Sequence, residues 1–100
     1  MLRERTRHGL FFAHLALEKV LKAHVVHHTG DLAPRIHNLV RLAELSEIQL
    51  SPSQLDLLAD MNVFNLEGRY PETLAPLPSR AETAEIMNSA GEVLAWLMTL

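Results

Sequence analysis

Residues 10–26 read LFFAHLALEKVLKAHVV, and this stretch decides the fold. An α-helix turns by about 100° per residue, which places most of the apolar side chains of this stretch on one broad face. That face holds Leu10, Phe11, Leu15, Leu17, Leu21 and Val25. Glu18 and Lys22 fall inside it, with His14 close by. Because the helix is apolar around most of its circumference, we expect several neighbours to cover it, either at the centre of the fold or at a subunit interface.

Glu18 and Lys22 stand one helical turn apart with the acid first, which is the favourable order for an ion pair on a helix. On an exposed face such a pair would contribute only about 0.3–0.5 kcal/mol. In a partly buried position, stranding one charge would cost about 3–5 kcal/mol. The sequence leaves two interpretations open. The pair is a structural ion pair at the rim of the core, or it is a polar site in a groove or dimer interface that receives a ligand or another chain.

Composition predicts a single globular domain over residues 1–100, with 48% apolar and 21% charged residues. The chain has no cysteine, so helix packing rather than disulfides or thiolate metal sites must stabilise it. A net charge of −3 excludes an overall basic excess for nucleic-acid binding. Charged residues within the first apolar stretch exclude a simple membrane span, and no cleavage site follows it. We therefore expect a cytoplasmic protein that does not enter a membrane.

The remaining sequence predicts three further helices. The first helix should run from Glu4 to His28 and end at Gly30, and the second should span His37 to Leu45. Capping signals at Ser51 and Ser79 begin the third and the last helix. Residues 64–79 predict an irregular connection with a short turn of helix at 65–69. The predicted fold is therefore all-α, an antiparallel up-and-down bundle of four main helices.

Apolar periodicity predicts which faces of these helices are buried. For the second helix they are Leu39, Leu42 and Ala43; for the third, Leu55, Leu58 and Ala59; for the last, Thr83, Met87, Ala90, Leu94 and Leu97. The solvent-exposed face of the last helix should carry Glu82, Glu85, Ser89 and Glu92.

Three landmarks in this sequence resemble those of the HEPN family (higher eukaryotes and prokaryotes nucleotide-binding domain). Residues 12–23, FAHLALEKVLKA, are similar to a QAAEKALKA helix of the family. Gly30 with the turn PRIHNL at 34–39 is similar to its P-x-T-H-D-L turn. GRYPE at 68–72 is similar to its ARYPD loop. The landmarks stand in the family's order and together cover most of the chain.

The resemblance implies a helical bundle that commonly forms a homodimer. It also implies a partner, since many members are encoded beside a minimal nucleotidyltransferase and some such pairs act as toxin and antitoxin. On this basis we expect a HEPN-domain protein without a reaction of its own. It would dimerise, bind a nucleotide, RNA or protein, and need no cofactor. A stand-alone nucleotide-binding module is an alternative.

The second alternative is enzymatic, because some HEPN proteins are metal-independent endoribonucleases. Their active site pairs an Arg with a closely following His, usually late in the bundle. Arg3 and His8 match that spacing and are the catalytic candidates here, but they precede the conserved helix. The last helix contains no His, and Leu10 stands where some toxins carry a tyrosine. These departures favour the non-enzymatic interpretation.

Four further residues are candidates for a ligand site or an interface. His37 and Asn38 either orient a ligand or the neighbouring loop, or simply cap the second helix. Arg69 and Tyr70 either anchor a buried loop or contact the phosphate and base of a nucleotide. No glycine-rich phosphate loop accompanies them.

His24 and His28 are one turn apart near the end of the first helix, a spacing that can hold a metal. The sequence places no third ligand beside them. Histidines in a last turn also interact favourably with the helix dipole. We therefore expect no resident metal.

Overall fold

Four α-helices make up most of the protein in this computed structural model, which describes residues 2–64 and 79–100. They are α1 (Leu2–Thr29), α2 (Leu39–Ser46), α3 (Pro52–Met61) and α4 (Arg80–Leu97), with a 3₁₀ turn at Asn62–Phe64. Helices α2 and α4 pack against α1, and α3 closes the ring by contacting α2 and α4. No strand occurs in these two ranges, so the predicted all-α bundle of four main helices is confirmed. The turn predicted at 65–69 lies outside the described residues.

The helix ends follow the local signals in the sequence. Gly30 has a φ of 76°, the left-handed conformation that stops α1 with little strain. The side chains of Ser51 and Ser79 each accept a hydrogen bond from the backbone of the third helical residue, which completes both capping boxes. Asn38 caps α2, since its Oδ1 accepts from the backbone N of Arg41 at 3.1 Å. This cap moves the start of α2 two residues beyond the predicted His37.

Helix α2 runs in the same direction as α1, which differs from the predicted up-and-down order. His37, just before α2, contacts Glu18 in the middle of α1, and Glu47, just after α2, contacts His28 at the end of α1. The linker of residues 30–38 must therefore return along α1 by about 16 Å. Its nine residues can span roughly 30 Å when extended, which is ample. The expectation of an antiparallel pair holds for α2 and α3, whose connection is short.

The core lies between the inner face of α1 and the three other helices. Its members are Leu10, Leu17, Leu21, Val25, Leu39, Leu42, Ala43, Leu57, Leu58, Met61, Phe64, Ala90, Val93 and Leu97. The predicted buried residues of α2 are all confirmed, as are Leu58, Ala90 and Leu97. Glu82, Glu85, Ser89 and Glu92, the predicted solvent-exposed face of α4, are exposed as expected. In α1, Phe11 and Leu15 lie at the half-buried edge of the predicted face.

Two of the predicted faces are rotated in the structure. Leu55 and Ala59 of α3 are exposed, and Leu57 and Met61 take the buried positions. On α4, Met87 is 39% exposed while Val93 is buried. Short amphipathic helices carry apolar residues on more than one side, so the position of the neighbouring helices selects the face. Separately, none of the described helices is long and apolar enough to cross a membrane.

Asn62, at the end of α3, joins α3 to the start of α2. Its Oδ1 accepts a hydrogen bond from the backbone N of Leu39 at 2.8 Å, and its Nδ2 donates to Oδ1 of Asn38 at 3.1 Å. The first amide groups of a helix have no partner within the helix, so this contact satisfies one of them from a distant part of the chain. The same contact also fixes the position of the end of α3 relative to the start of α2.

We expect Asn62→Ala to lower the free energy of unfolding by about 1–2 kcal/mol, because the Leu39 amide loses its partner. Urea denaturation monitored by circular dichroism measures the change. The matched control is Asn88→Ala on the exposed side of α4, which should change stability by less than about 0.5 kcal/mol. Equal effects of the two substitutions would contradict this role for Asn62.

Candidate functional site

Glu18 is a buried acid at the centre of the α1 face that meets α2. The residue is only 4% exposed, and its neighbours Leu17 and Leu21 are completely buried. The helical period places it there, because residues 14, 18, 21 and 25 all turn toward the core. A carboxylate in such surroundings needs compensating partners.

Three side chains surround the Glu18 carboxylate. Lys22 Nζ lies 3.0 Å from Oε2, one turn farther along α1. His37 Nδ1 donates to Oε1 at 3.1 Å from the linker that precedes α2. His14 Nδ1 lies 3.7 Å from the same Oε1, one turn back along α1. The structure therefore brings the predicted Glu18, Lys22 and His37 together and adds His14 to them.

The charge of Glu18 is stabilised by its partners rather than by solvent. Burial alone would raise the pKa of the carboxyl, but hydrogen bonds from Lys22 and His37, with their charges, hold that pKa below its ordinary value. Glu18 is consequently ionised at neutral pH. It acts as a fixed negative anchor and does not offer a base that takes up protons near pH 7.

His14 has the opposite character. It is 1% exposed, and burial lowers the pKa of its imidazole by more than the Glu18 carboxylate raises it. The ring is therefore neutral at pH 7. Its Nε2 has no hydrogen-bond partner within the two described ranges. His14 is thus a neutral polar ring next to the Glu18–Lys22 ion pair. Burial makes protonation of this ring unfavourable.

Lys22 and His37 face the surface while they hold Glu18. Their side chains are 19% and 50% exposed. Glu18 takes one of the three donors of the Lys22 ammonium and only Nδ1 of the His37 ring. The remaining donors of Lys22 and Nε2 of His37 can therefore bind a ligand at the mouth of the site.

Asn38 lies next to His37 but serves the helix rather than the carboxylate. Its side chain caps α2 and accepts from Asn62. The capping alternative for Asn38 is thus the one that the geometry supports. Sequence reasoning missed Asn62, because it follows α3 with no local pattern and is more than twenty residues from Asn38.

The other sequence candidates are not part of this site. Arg69 and Tyr70 lie outside the described residues, and of Arg3 only the backbone, in the first turn of α1, is described. His8 is exposed on α1, ten residues or about 15 Å along the helix from Glu18.

The histidines near the end of α1 contact two different elements. His24 Nε2 lies 2.8 Å from the carbonyl oxygen of Leu97, and His28 Nε2 lies 2.6 Å from Oε2 of Glu47. Among the described residues, no group of three or more His, Asp or Glu side chains is placed to hold a metal ion.

A shallow groove of about 590 Å³ lies between α3 and α4, away from Glu18. Its charged lining is acidic and comprises Asp56, Asp60, Glu85 and Glu92. Such a surface repels phosphate groups. For an anionic ligand, the mouth formed by Lys22 and His37 is therefore the better of the two surfaces.

We expect Glu18→Gln to lower the free energy of unfolding by about 2–3 kcal/mol, because Lys22 and His37 lose their common anion. Thermal and urea denaturation measure the loss. Glu47→Gln is the matched control, since Glu47 also binds a histidine but is 73% exposed. Its effect should stay below about 1 kcal/mol. A Glu18→Gln protein as stable as the wild type would contradict the anchoring role.

Acidification should destabilise the fold in two stages. The pKa of His14 is lower in the folded state than its ordinary 6.5, so the unfolded chain binds the proton first and stability falls below about pH 6.5. The pKa of Glu18 is also lowered, from 4.5, so the stability it contributes is present above that pH and is lost as pH falls through the folded value.

Urea denaturation across this pH range tests the first stage, with His14→Gln as the comparison. The variant should lose less stability than the wild type between about pH 7 and 5, because it removes the titrating ring. Parallel curves for the two proteins would show that His14 does not carry the effect.

Comparison with protein families gives one result. The model of the HEPN domain matches residues 3–100. Comparison with curated proteins found no match, and comparison with solved structures found none. Because the family match covers nearly the whole length, including α1 with Glu18 and the His37 linker, this chain belongs to the HEPN domain family.

Proposed function

We propose that this HEPN-domain chain is the helical partner of a minimal nucleotidyltransferase in a toxin–antitoxin-like pair in the cytoplasm. It acts as a homodimer that binds a nucleotide, RNA or protein and carries out no reaction itself. Membership of the family supports the general role. The pairing with a nucleotidyltransferase is an expectation from the family. The geometry of the Glu18 site supports the binding of a ligand.

The observation that carries the proposal is the mutual engagement of Glu18, Lys22 and His37. An ionised carboxylate with two bound cationic or polar partners is suited to hold a surface in shape, since it keeps its protonation state near pH 7. A general base would instead need a pKa near the working pH. The arrangement therefore favours binding over acid–base catalysis.

The exposed edge of the site favours an anionic ligand. The ammonium of Lys22 and the ring of His37 stay near solvent. Lys22 can donate hydrogen bonds to a phosphate, and Nε2 of His37 can do so when both ring nitrogens carry a proton. Glu18 orients both donors before any ligand arrives, which reduces the entropy lost on binding. This observation also supports the second candidate, a stand-alone nucleotide-binding module.

We expect ATP to bind with an affinity that His37→Ala weakens by about tenfold, the equivalent of one hydrogen bond to a charged group. Isothermal titration calorimetry measures both dissociation constants. The control is His28→Ala, which removes another carboxylate-bound histidine at the far end of α2 and should leave ATP affinity unchanged. Absence of heat and of a thermal shift with the wild type would rule out nucleotide binding.

Co-expression tests the partnership separately. The chain should co-purify with a minimal nucleotidyltransferase encoded beside its gene, and size-exclusion chromatography should show one complex. No neighbouring nucleotidyltransferase gene, or two separate peaks, would contradict the pairing. Cleavage of tRNA or mRNA by the purified chain, abolished by His8→Ala, would instead establish the ribonuclease alternative.

A further inference from the structure

The side of α1 that faces away from the core is unusually apolar. It carries a row of residues that we call the outer stripe: Gly9, Phe12, Ala16, Lys19, Ala23 and Val26. Phe12 is 62% exposed and Val26 is 41% exposed. On the helical wheel the outer stripe lies about 150° from the buried leucines of the same helix, so the bundle core does not use it.

Helix α4 provides a comparison, because its solvent-exposed side is polar. Its exposed side carries Glu82, Glu85, Ser89 and Glu92. The outer stripe has one charge, Lys19, over roughly five turns, whereas these residues of α4 span only about three. Phe12, Ala23 and Val26 of the outer stripe are exposed, and Gly9 and Ala16 are half-buried. A row of exposed apolar side chains on a long helix indicates a surface that another molecule covers.

The spacing of the outer stripe indicates what kind of surface covers it. Its members follow one another at alternating steps of three and four residues, from Gly9 to Val26. A repeat of seven residues keeps a seam straight along two helices that pack side by side. The outer stripe is therefore suited to another helix of the same period.

We propose that the outer stripe binds a second copy of this chain, with the two α1 helices antiparallel. The inference rests on the homodimer in the proposed function and names its interface. In this register Phe12 packs on the partner's Ala23, and Gly9 on the partner's Val26. Two-fold symmetry then generates each contact twice.

Size complementarity selects this register. Each large side chain of the outer stripe meets a small one: Phe12 meets alanine, and Val26 meets glycine. Ala16 meets the partner's Lys19, whose methylene stem can lie over the alanine while the ammonium reaches solvent. Alternation of large and small residues across a helix pair lets the backbones approach and leaves few voids.

A parallel arrangement of the same two helices is disfavoured by both charge and volume. It would set Lys19 opposite the partner's Lys19 at the centre of the seam, where like charges repel. It would also set Phe12 against the partner's Phe12 and leave Ala16 and Ala23 facing alanines. The antiparallel register avoids each of these mismatches.

Disulfide cross-linking tests the register in a chain that has no cysteine of its own. Gly9→Cys and Val26→Cys are suitable, because a side chain added at Gly9 meets nothing within 4 Å and Val26 is exposed. Both variants keep Phe12. An equimolar mixture should form a cross-linked dimer under mild oxidation, whereas neither variant alone should, because identical positions would be about 25 Å apart along the axis.

The outcomes separate this interface from dimerisation in general. Cross-linking of the Gly9→Cys variant alone would indicate parallel helices and overturn the proposal. A dimer by light scattering that gives no cross-link in the mixture would overturn this interface but leave the homodimer standing. A monomer at micromolar concentration would overturn both.

A substitution provides the second measurement. Phe12→Ala should raise the dimer dissociation constant at least about tenfold, because both copies of the anchor are lost. Met98→Ala is the control, since Met98 is 70% exposed and lies outside the outer stripe. Unchanged dissociation constants for both variants would overturn the proposal.

Discussion

The buried carboxylate of Glu18 is the constraint on which the rest of the structure depends. A carboxylate that is 4% exposed is stable only with hydrogen-bonding partners. Lys22 supplies one from the same helix, and His37 supplies the other from the linker. Because His37 must reach the middle of α1, the linker has to return along that helix before α2 can begin. The direction of α2 follows from this requirement.

Polar contacts continue from this anchor into α3. Next to His37, Asn38 caps α2 and also accepts from Asn62, which in turn satisfies the Leu39 amide. Three segments that are distant in sequence thus meet at one end of α2. Networks of this kind are sensitive to the loss of any member, since each leaves a polar group without its partner. The same network keeps Lys22 and His37 at the surface in a fixed arrangement.

Helix α1 serves two surfaces at once. Its inner side holds the core and the Glu18 site, while its outer stripe presents Phe12 and Val26 to solvent. The sequence predicts that this apolar helix lies at the centre of the fold or at an interface. In the proposed dimer it occupies both positions. A small bundle gains stability when a second copy covers such a strip. Lys22 of that site stands three residues after Lys19 and four before Val26, so the site borders the outer stripe.

The sequence by itself determined the features that depend on neighbours within about one helical turn. The stop at Gly30, the capping boxes at Ser51 and Ser79, and the burial of Glu18 beside Lys22 all belong to this class. Each is decided by hydrogen bonds or by helical periodicity over a few residues. Local segments also suggested the HEPN family, and the match over residues 3–100 confirms that family.

Only the tertiary structure decided the features that depend on distant contacts. These are the parallel course of α1 and α2, the bond between His37 and Glu18, and the role of Asn62. The buried faces of α3 and α4 belong here too, because Leu55 or Leu57 could each have faced inward. The free energy that separates such choices comes from packing and from charges brought together over the whole chain. A local sequence pattern does not determine this free energy.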